Sequence, residues 1–128
     1  MATKIRENET LVENTEIKPI ILKDDNNGDV FVLEFDRATV KFAEARGFNI
    51  ESLDEGVNLS AIEDLFFYAF RKHQPKLSKA DTDKILYEKL KGFQEGMVER
   101  LAELYLQPFK ALVRTEEEAK NATMTVEF

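Results

Sequence analysis

The run Leu65–Phe70, with the sequence LFFYAF, constrains the fold more than any other part of this chain. It follows Ser60–Glu63, whose sequence SAIE is a capping-box pattern that predicts the start of a helix. A surface helix shows one apolar stripe, whereas this run is apolar on several sides. Such a helix either lies in the centre of the domain or presents a second apolar surface to a partner.

The composition excludes several classes of function. The chain has no Cys, which excludes disulfide scaffolds, thiolate zinc sites and cysteine nucleophiles. Its net charge of −7 opposes binding to the phosphate backbone of nucleic acids. No apolar run approaches the roughly 20 residues of a membrane span, and the first ten residues lack the apolar region of a signal peptide. These features predict a soluble, cytoplasmic, acidic protein that binds neither nucleic acid nor membranes.

Polar and apolar residues divide the chain into three parts. Residues 1–14 are mostly charged and polar, which predicts a flexible N-terminus. Residues 15–113 carry the strand and helix patterns of a single α+β domain, and this length is sufficient for an apolar core. Residues 114–128 combine a polar linker with a strand-like end.

A small antiparallel sheet is predicted at the ends of this domain. The runs Ile17–Leu22 and Val30–Phe35 are rich in β-branched and aromatic residues, and Asp24–Asp29 between them contains the Asn-Gly turn signal of a β-hairpin. Residues 123–128, with the sequence TMTVEF, alternate in the same way and are a candidate third strand, which would pair either within the chain or with a neighbour.

The middle of the chain predicts a helical body of four to five helices. Besides the aromatic helix, which should stop near Gln74, the signals predict helices over residues 37–46 after the cap Asp36, from 79 to about 92 after the capping box Ser78–Asp81, and over 93–113. Pro108 predicts a kink or a break in the last of these helices.

Residues that carry chemistry are sparse. His73 is the only histidine, and we interpret it as a structural residue beside the apolar stripe of the aromatic helix. The acidic residues around Gly28 resemble part of a calcium loop. However, the twelfth residue from Asp24, where an EF-hand has Glu, is Phe35, so we interpret them as a turn. The sequence therefore predicts a protein that is not an enzyme and has no cofactor, metal or catalytic residue.

The apolar surplus of two helices is the stronger functional signal. Phe67 and Tyr68 project to opposite sides of the stripe in the aromatic helix, and Leu106 projects from the far side of the last helix. We hypothesise a partner-binding surface of six side chains: Phe67, Tyr68, Phe70, Tyr105, Leu106 and Phe109. Full burial in a helical bundle and self-association are the alternatives.

An ordered series of motifs resembles the tail assembly chaperone family of long-tailed bacteriophages, in the branch found in phages and prophages of Gram-positive bacteria. The series covers residues 30–113. It comprises the strand leading to Phe35-Asp36-Arg37, the helix that ends at Arg46-Gly47-Phe48, the aromatic helix ending in Lys72-His73-Gln74-Pro75, the helix start at Thr82-Asp83, and the stretch from Leu104-Tyr105 to Pro108-Phe109 in the last helix.

The resemblance implies a non-enzymatic role in virion assembly. Such chaperones bind the helix-rich tape measure protein, keep it soluble and help to recruit major tail protein around it. They act in the host cytoplasm and are not retained in the mature virion, and many of these phages also make a longer form by frameshifting. The alternatives are another acidic protein-interaction module, a small enzyme built on carboxylates and His73, and a homo-oligomeric tail component.

Overall fold

A computed structural model describes residues 17–54, 58–113 and 121–128 of the chain. The predicted flexible segment 1–14 and most of the predicted linker, residues 114–120, lie outside the described residues. Within the described part, the fold is α+β, with four α-helices and one two-stranded antiparallel sheet. None of these helices is both long enough and apolar enough to cross a membrane.

The predicted β-hairpin is confirmed. Strand β1 is Ile20–Lys23, and strand β2 is Val30–Leu33, with Leu22 opposite Phe31 in an antiparallel register. Leu33 is fully buried and Phe31 is half-buried, so one face of β2 contacts the core, as the two-residue period predicts.

The first helix confirms the N-cap prediction. Helix α1 is Arg37–Ala45, and its N-cap Asp36 accepts a hydrogen bond from the backbone N–H of Thr39 at 2.9 Å. The Thr39 hydroxyl in turn accepts one from the backbone N–H of Asp36 at 2.8 Å, which completes a capping box. Gly47 follows with φ of +94°, a left-handed conformation that glycine adopts without steric cost. A 3₁₀ turn, Ile50–Asp54, leads on to the next helix.

The aromatic helix begins and ends earlier than predicted. Helix α2 is Leu59–Ala69, and its N-cap is Asn58, whose side chain accepts a hydrogen bond from the backbone N–H of Ala61 at 3.1 Å. The predicted cap Ser60 therefore lies inside the helix, because Asn58 satisfies the free N–H groups first. The chain continues in turns from Phe70 to Gln74, whose N–H donates to the Phe70 carbonyl at 2.8 Å.

The predicted capping box at Ser78 is confirmed. Helix α3 is Lys79–Lys84, and the Ser78 and Asp81 side chains each accept a hydrogen bond from the backbone N–H of the other residue. The helix continues as a π-helical turn, Ile85–Leu90, before a left-handed residue, Lys91, ends it. The sequence patterns did not predict the π-helical geometry.

The last helix is shorter than predicted and is not broken at its proline. Helix α4 is Met97–Lys110, and it begins after Gly96, which has φ of +86°. Pro108 lies inside it and only two residues follow, so the predicted break is wrong. A proline so close to the C-terminal end removes only one backbone hydrogen bond, the one to the Leu104 carbonyl.

Helix α2 lies at the centre of the core and packs against α1, the 3₁₀ turn, α3 and α4. The largest fully buried side chains of the described residues are Tyr105, Phe66, Phe70, Leu33, Leu65, Leu86, Leu101 and Thr82. Many of the aromatic rings meet edge to face, a favourable arrangement of their quadrupoles. An apolar helix of this kind is stable only where other elements cover it on most sides, which is the position that α2 occupies.

The predicted C-terminal strand does not form. Residues 121–128 include no strand, and all of their side chains are exposed. Within the described residues the sheet therefore has only β1 and β2. The alternating pattern gives this segment one apolar face, but no strand pairs with it among the described residues, so the candidate third strand is not formed within the single chain.

Candidate partner-binding surface

Two of the predicted surface residues on the aromatic helix are core residues. Tyr68 is buried, with its ring 5.6 Å from that of Phe48. Phe70 is also buried, with its ring 4.9 Å from that of Phe66. The prediction of a partner contact is wrong for Tyr68 and Phe70, because the neighbours of α2 already cover both sides of the helix.

Phe67 is the exception within the run Leu65–Phe70. It is the one residue of this run that is not buried, and it packs against the core with its ring 5.0 Å from Tyr68. Only part of the Phe67 ring is therefore open to a partner.

Tyr105 on α4 is also a core residue, so its predicted partner contact is wrong as well. Its ring lies 5.1 Å from that of Phe35 and 5.3 Å from that of Phe48. Burial, with smaller contributions from Glu44 and Tyr68, raises the pKa of Tyr105 to about 12. The phenol therefore stays neutral and serves as a large packing group.

The other two predicted residues, Leu106 and Phe109, lie on an exposed apolar surface. Leu106 is 37% exposed and Phe109 is 39% exposed, and just beyond the helix Leu112 is 67% and Val113 78% exposed. Leu106 and Phe109 follow the spacing i, i+3 that places side chains on one side of a helix, and Leu112 and Val113 lie in the turn directly after it. We call these four residues, Leu106, Phe109, Leu112 and Val113, the α4 patch.

The α4 patch arises because α4 extends beyond the core. Leu101 and Leu104 in the first part of the helix are buried, whereas Phe109 and Leu112 continue the same broad apolar arc and are exposed. The Phe109 ring rests 6.0 Å from the buried Tyr105, which holds it from one side. The patch is thus an extension of the core onto the surface of the domain.

Leu112 and Val113 were not among the predicted surface residues. The sequence contained a signal for them, since both are apolar and lie at the end of the last helical pattern, directly before a polar segment. An apolar pair at the end of a helix has few neighbouring turns to cover it. The exposure of these two residues follows from that position.

His73 takes part in a surface ion-pair network. It lies beyond the end of α2, and its Nε2 is 2.7 Å from Glu34 Oε1, while Lys72 Nζ is 3.1 Å from Glu34 Oε2. The Glu34 N–H also donates to the Ala69 carbonyl at 3.0 Å. These contacts connect the end of β2 to the end of α2. The hydrogen bond with His73, together with Lys72, outweighs partial burial and lowers the pKa of the Glu34 carboxyl.

We expect Glu34→Gln to lower the free energy of unfolding by about 0.5–1 kcal/mol near neutral pH. Because folding lowers this pKa, ionised Glu34 stabilises the fold above its unfolded pKa of about 4.3. That stabilisation is lost as the pH falls through the lower folded value. Urea unfolding of both proteins from pH 7 to pH 3 should therefore show a difference that shrinks in acid. Glu88→Gln, at an exposed glutamate, controls for the change in net charge, and a difference that does not vary with pH would contradict the pairing.

The acidic turn between the strands is occupied by contacts within the chain. Asp24 accepts hydrogen bonds from the backbone N–H groups of Asn26 and Asn27 at 2.9 and 3.3 Å. Lys89 Nζ lies 2.6 Å from the other oxygen of Asp24, and this contact is the main cause of the lowered pKa of Asp24. Among the described residues, no group of three or more acidic or histidine side chains is arranged to hold a metal ion.

A second charged cluster joins the start of α2 to α3. Lys79 Nζ lies 3.3 Å from Asp83 Oδ1, 3.6 Å from Glu63 Oε1 and 3.7 Å from Asp64 Oδ1. Burial raises the pKa of Asp64, and the neighbouring carboxylates Glu63 and Asp83 add to this effect. The Tyr87 hydroxyl donates a hydrogen bond to Glu63. Lys79 is thus the cation that pairs with these carboxylates, and the cluster connects α2 to α3.

The fold and the α4 patch define a small α+β domain with an exposed apolar surface at one end of its last helix. Residues 7–128 match the family described as "Domain of unknown function (DUF5055)", and the chain belongs to that family. Comparisons with curated proteins and with solved structures give no significant match.

Proposed function

We propose that this chain is a phage tail assembly chaperone that binds the tape measure protein through the α4 patch. The single observation that carries the binding site is the exposure of Leu106, Phe109, Leu112 and Val113 at the end of α4. Grouped apolar side chains on a surface favour contact with another apolar surface. The choice of client rests on the resemblance of residues 30–113 to the chaperone family.

The chemistry of the client is compatible with this patch. A tape measure protein is long and rich in helices, and its apolar stripes are uncovered until tail tube protein surrounds it. Leu106 and Phe109, spaced at i and i+3 on α4, can pack against such a stripe as one helix packs against another, and Leu112 and Val113 extend the apolar contact beyond the helix. Four partly exposed side chains give modest affinity, which allows the client to be released during tail assembly.

The net charge supports the same role. An acidic protein with a net charge of −7 keeps its complexes apart in solution by mutual repulsion while the apolar patch is occupied. We propose that the protein works in the host cytoplasm, helps to recruit major tail protein and leaves before the virion is complete. The role is non-enzymatic, and the pairing of His73 with Glu34 between β2 and α2 supports a structural assignment for this histidine.

Co-expression with the tape measure protein tests this function. We expect the client to be insoluble when it is expressed alone and soluble with this chain, and the two proteins should then co-purify. We also expect mass spectrometry of purified virions to detect the tape measure protein but not this chain. A client that remains insoluble, or stoichiometric amounts of this chain in virions, would contradict the proposal, and the second result would favour a tail component.

A further inference from the structure

Strand β1 has a free edge with unpaired backbone groups. Asp24 N–H donates to the Asp29 carbonyl at 2.8 Å, which fixes the alternation of hydrogen bonds along the hairpin. In an antiparallel pair every second residue bonds to the neighbouring strand. Leu22 therefore bonds to β2, whereas the N–H and C=O groups of Ile21 and Lys23 point away from it. No other strand pairs with this edge among the described residues.

A groove of about 570 Å³ runs beside this edge. Besides β1 it is lined by residues 90–97 and the first turns of α4, and its apolar members Leu90, Phe93 and Met97 are half-buried against the core. Its rim carries the exposed cations Lys91 and Arg100 and the exposed carboxylate Glu95, and Arg100 Nε also lies 3.7 Å from Glu103 Oε1. An extended segment with one apolar face and an acidic residue matches this lining.

The chain itself contains such a segment. Residues 123–128 alternate between a polar set and an apolar set, and the apolar members Met124, Val126 and Phe128 are all largely exposed. A six-residue segment with this pattern has the length and the period of a β-strand. In the single chain it pairs with nothing in the described structure.

We propose that residues 123–128 of one copy of the chain pair with the free edge of β1 in a second copy and form a third strand. The outward N–H and C=O groups of Ile21 and Lys23 supply the hydrogen bonds, as in other cases of strand addition. The apolar face of the added strand covers Leu90, Phe93 and Met97. Glu127 of the added strand can pair with Lys91 or Arg100 on the rim.

A second copy is the partner because the single chain leaves both surfaces uncovered. Residues 121–128 are exposed, and within the described residues they form no strand with the β1 of the same chain. The groove lies at the start of α4, near Met97, whereas the segment follows the end of the helix at Lys110, about 20 Å away at 1.5 Å per residue.

Sedimentation equilibrium of the purified full chain tests this pairing. We expect self-association in the wild type, retained in Ile21→Ala and weakened at least about tenfold in Ile21→Pro, because only proline removes the outward N–H. Single proline substitutions at residues 124–127 should weaken association at alternate positions only, since an added strand directs every second N–H to β1. Because residues 124–127 are exposed, proline substitutions there should not disturb the fold. These variants therefore still test the pairing if Ile21→Pro fails to fold.

A mixing experiment identifies the exchange between copies. The Ile21→Pro protein retains an unchanged segment 123–128. A proline variant within residues 124–127 that does not self-associate retains an unchanged β1 edge. When the two proteins are mixed, they should therefore form a one-to-one complex. A monomeric wild type, association that is insensitive to all of the proline substitutions, or failure of the two variants to combine would each overturn the proposal.

The pairing goes beyond the proposed function and is tested without a client. Leu106→Ser combined with Phe109→Ser should leave self-association unchanged, because the α4 patch lies at the other end of α4. Loss of self-association in that double variant would overturn the assignment to β1. Loss of client binding alone would bear only on the chaperone proposal.

Discussion

Replacing Phe70 with Ala should lower the free energy of unfolding by about 3–5 kcal/mol. The Phe70 side chain is 1% exposed, and its ring contacts those of Phe66 at 4.9 Å and Phe31 at 5.7 Å. Its removal leaves a cavity at the junction of α2 with the hairpin, where neither element can move in to fill it. Since small domains are stable by only about 5–15 kcal/mol, a large part of the native stability should be lost.

Phe109→Ala is the matched control, since the residue type and the substitution are the same. The Phe109 side chain is 39% exposed and rests on Tyr105 from one side, so we expect a loss of about 1 kcal/mol or less. Urea unfolding followed by circular dichroism measures both values. Similar losses at the two positions would contradict the division between a buried α2 and an exposed end of α4.

Local signals in the sequence predicted much of the fold. The turn around Gly28, the cap at Asp36 and the capping box at Ser78 each depend on residues within a few positions of one another, and the structure has all three. The cap of α2 was misplaced because Asn58 and Ser60 are both good N-cap residues, two positions apart. Local preference does not decide between two such neighbours.

The candidate surface was harder to predict because it depends on contacts between distant segments. Helical geometry gives the direction in which a side chain points, but not whether another element lies there. Tyr105 and Leu106 are adjacent in α4, yet Tyr105 meets Phe35 and Phe48 whereas Leu106 meets solvent. The sequence thus identified two helices with surplus apolar residues, and only the packing around α2 and α4 shows which of these residues remain exposed.

The C-terminal segment shows the same limit. Alternation in residues 123–128 predicts a strand with one apolar face, but a strand also needs an edge to pair with. Among the residues that the structure describes, no strand edge pairs with this segment, and its side chains are exposed. Whether the pattern acts as a strand therefore depends on an available edge, which the sequence pattern alone does not reveal.

Replacing Leu106 and Phe109 together with Ser should weaken binding to the tape measure protein by roughly 100-fold. Each side chain is expected to contribute about 1–2 kcal/mol at the centre of the contact, and 1.4 kcal/mol corresponds to a factor of ten. Leu59→Ser is the matched control, because Leu59 is an exposed leucine at the start of α2, outside the α4 patch. Its affinity for the client should equal that of the wild type.

The dissociation constant for a purified tape measure segment, measured by calorimetry on wild type, the double variant and Leu59→Ser, tests the α4 patch most directly. Urea unfolding of the same three proteins shows that each is folded. We expect a weakening of about 100-fold confined to the double variant. Equal affinities of the folded double variant and the wild type would contradict the assignment of the α4 patch as the client-binding surface.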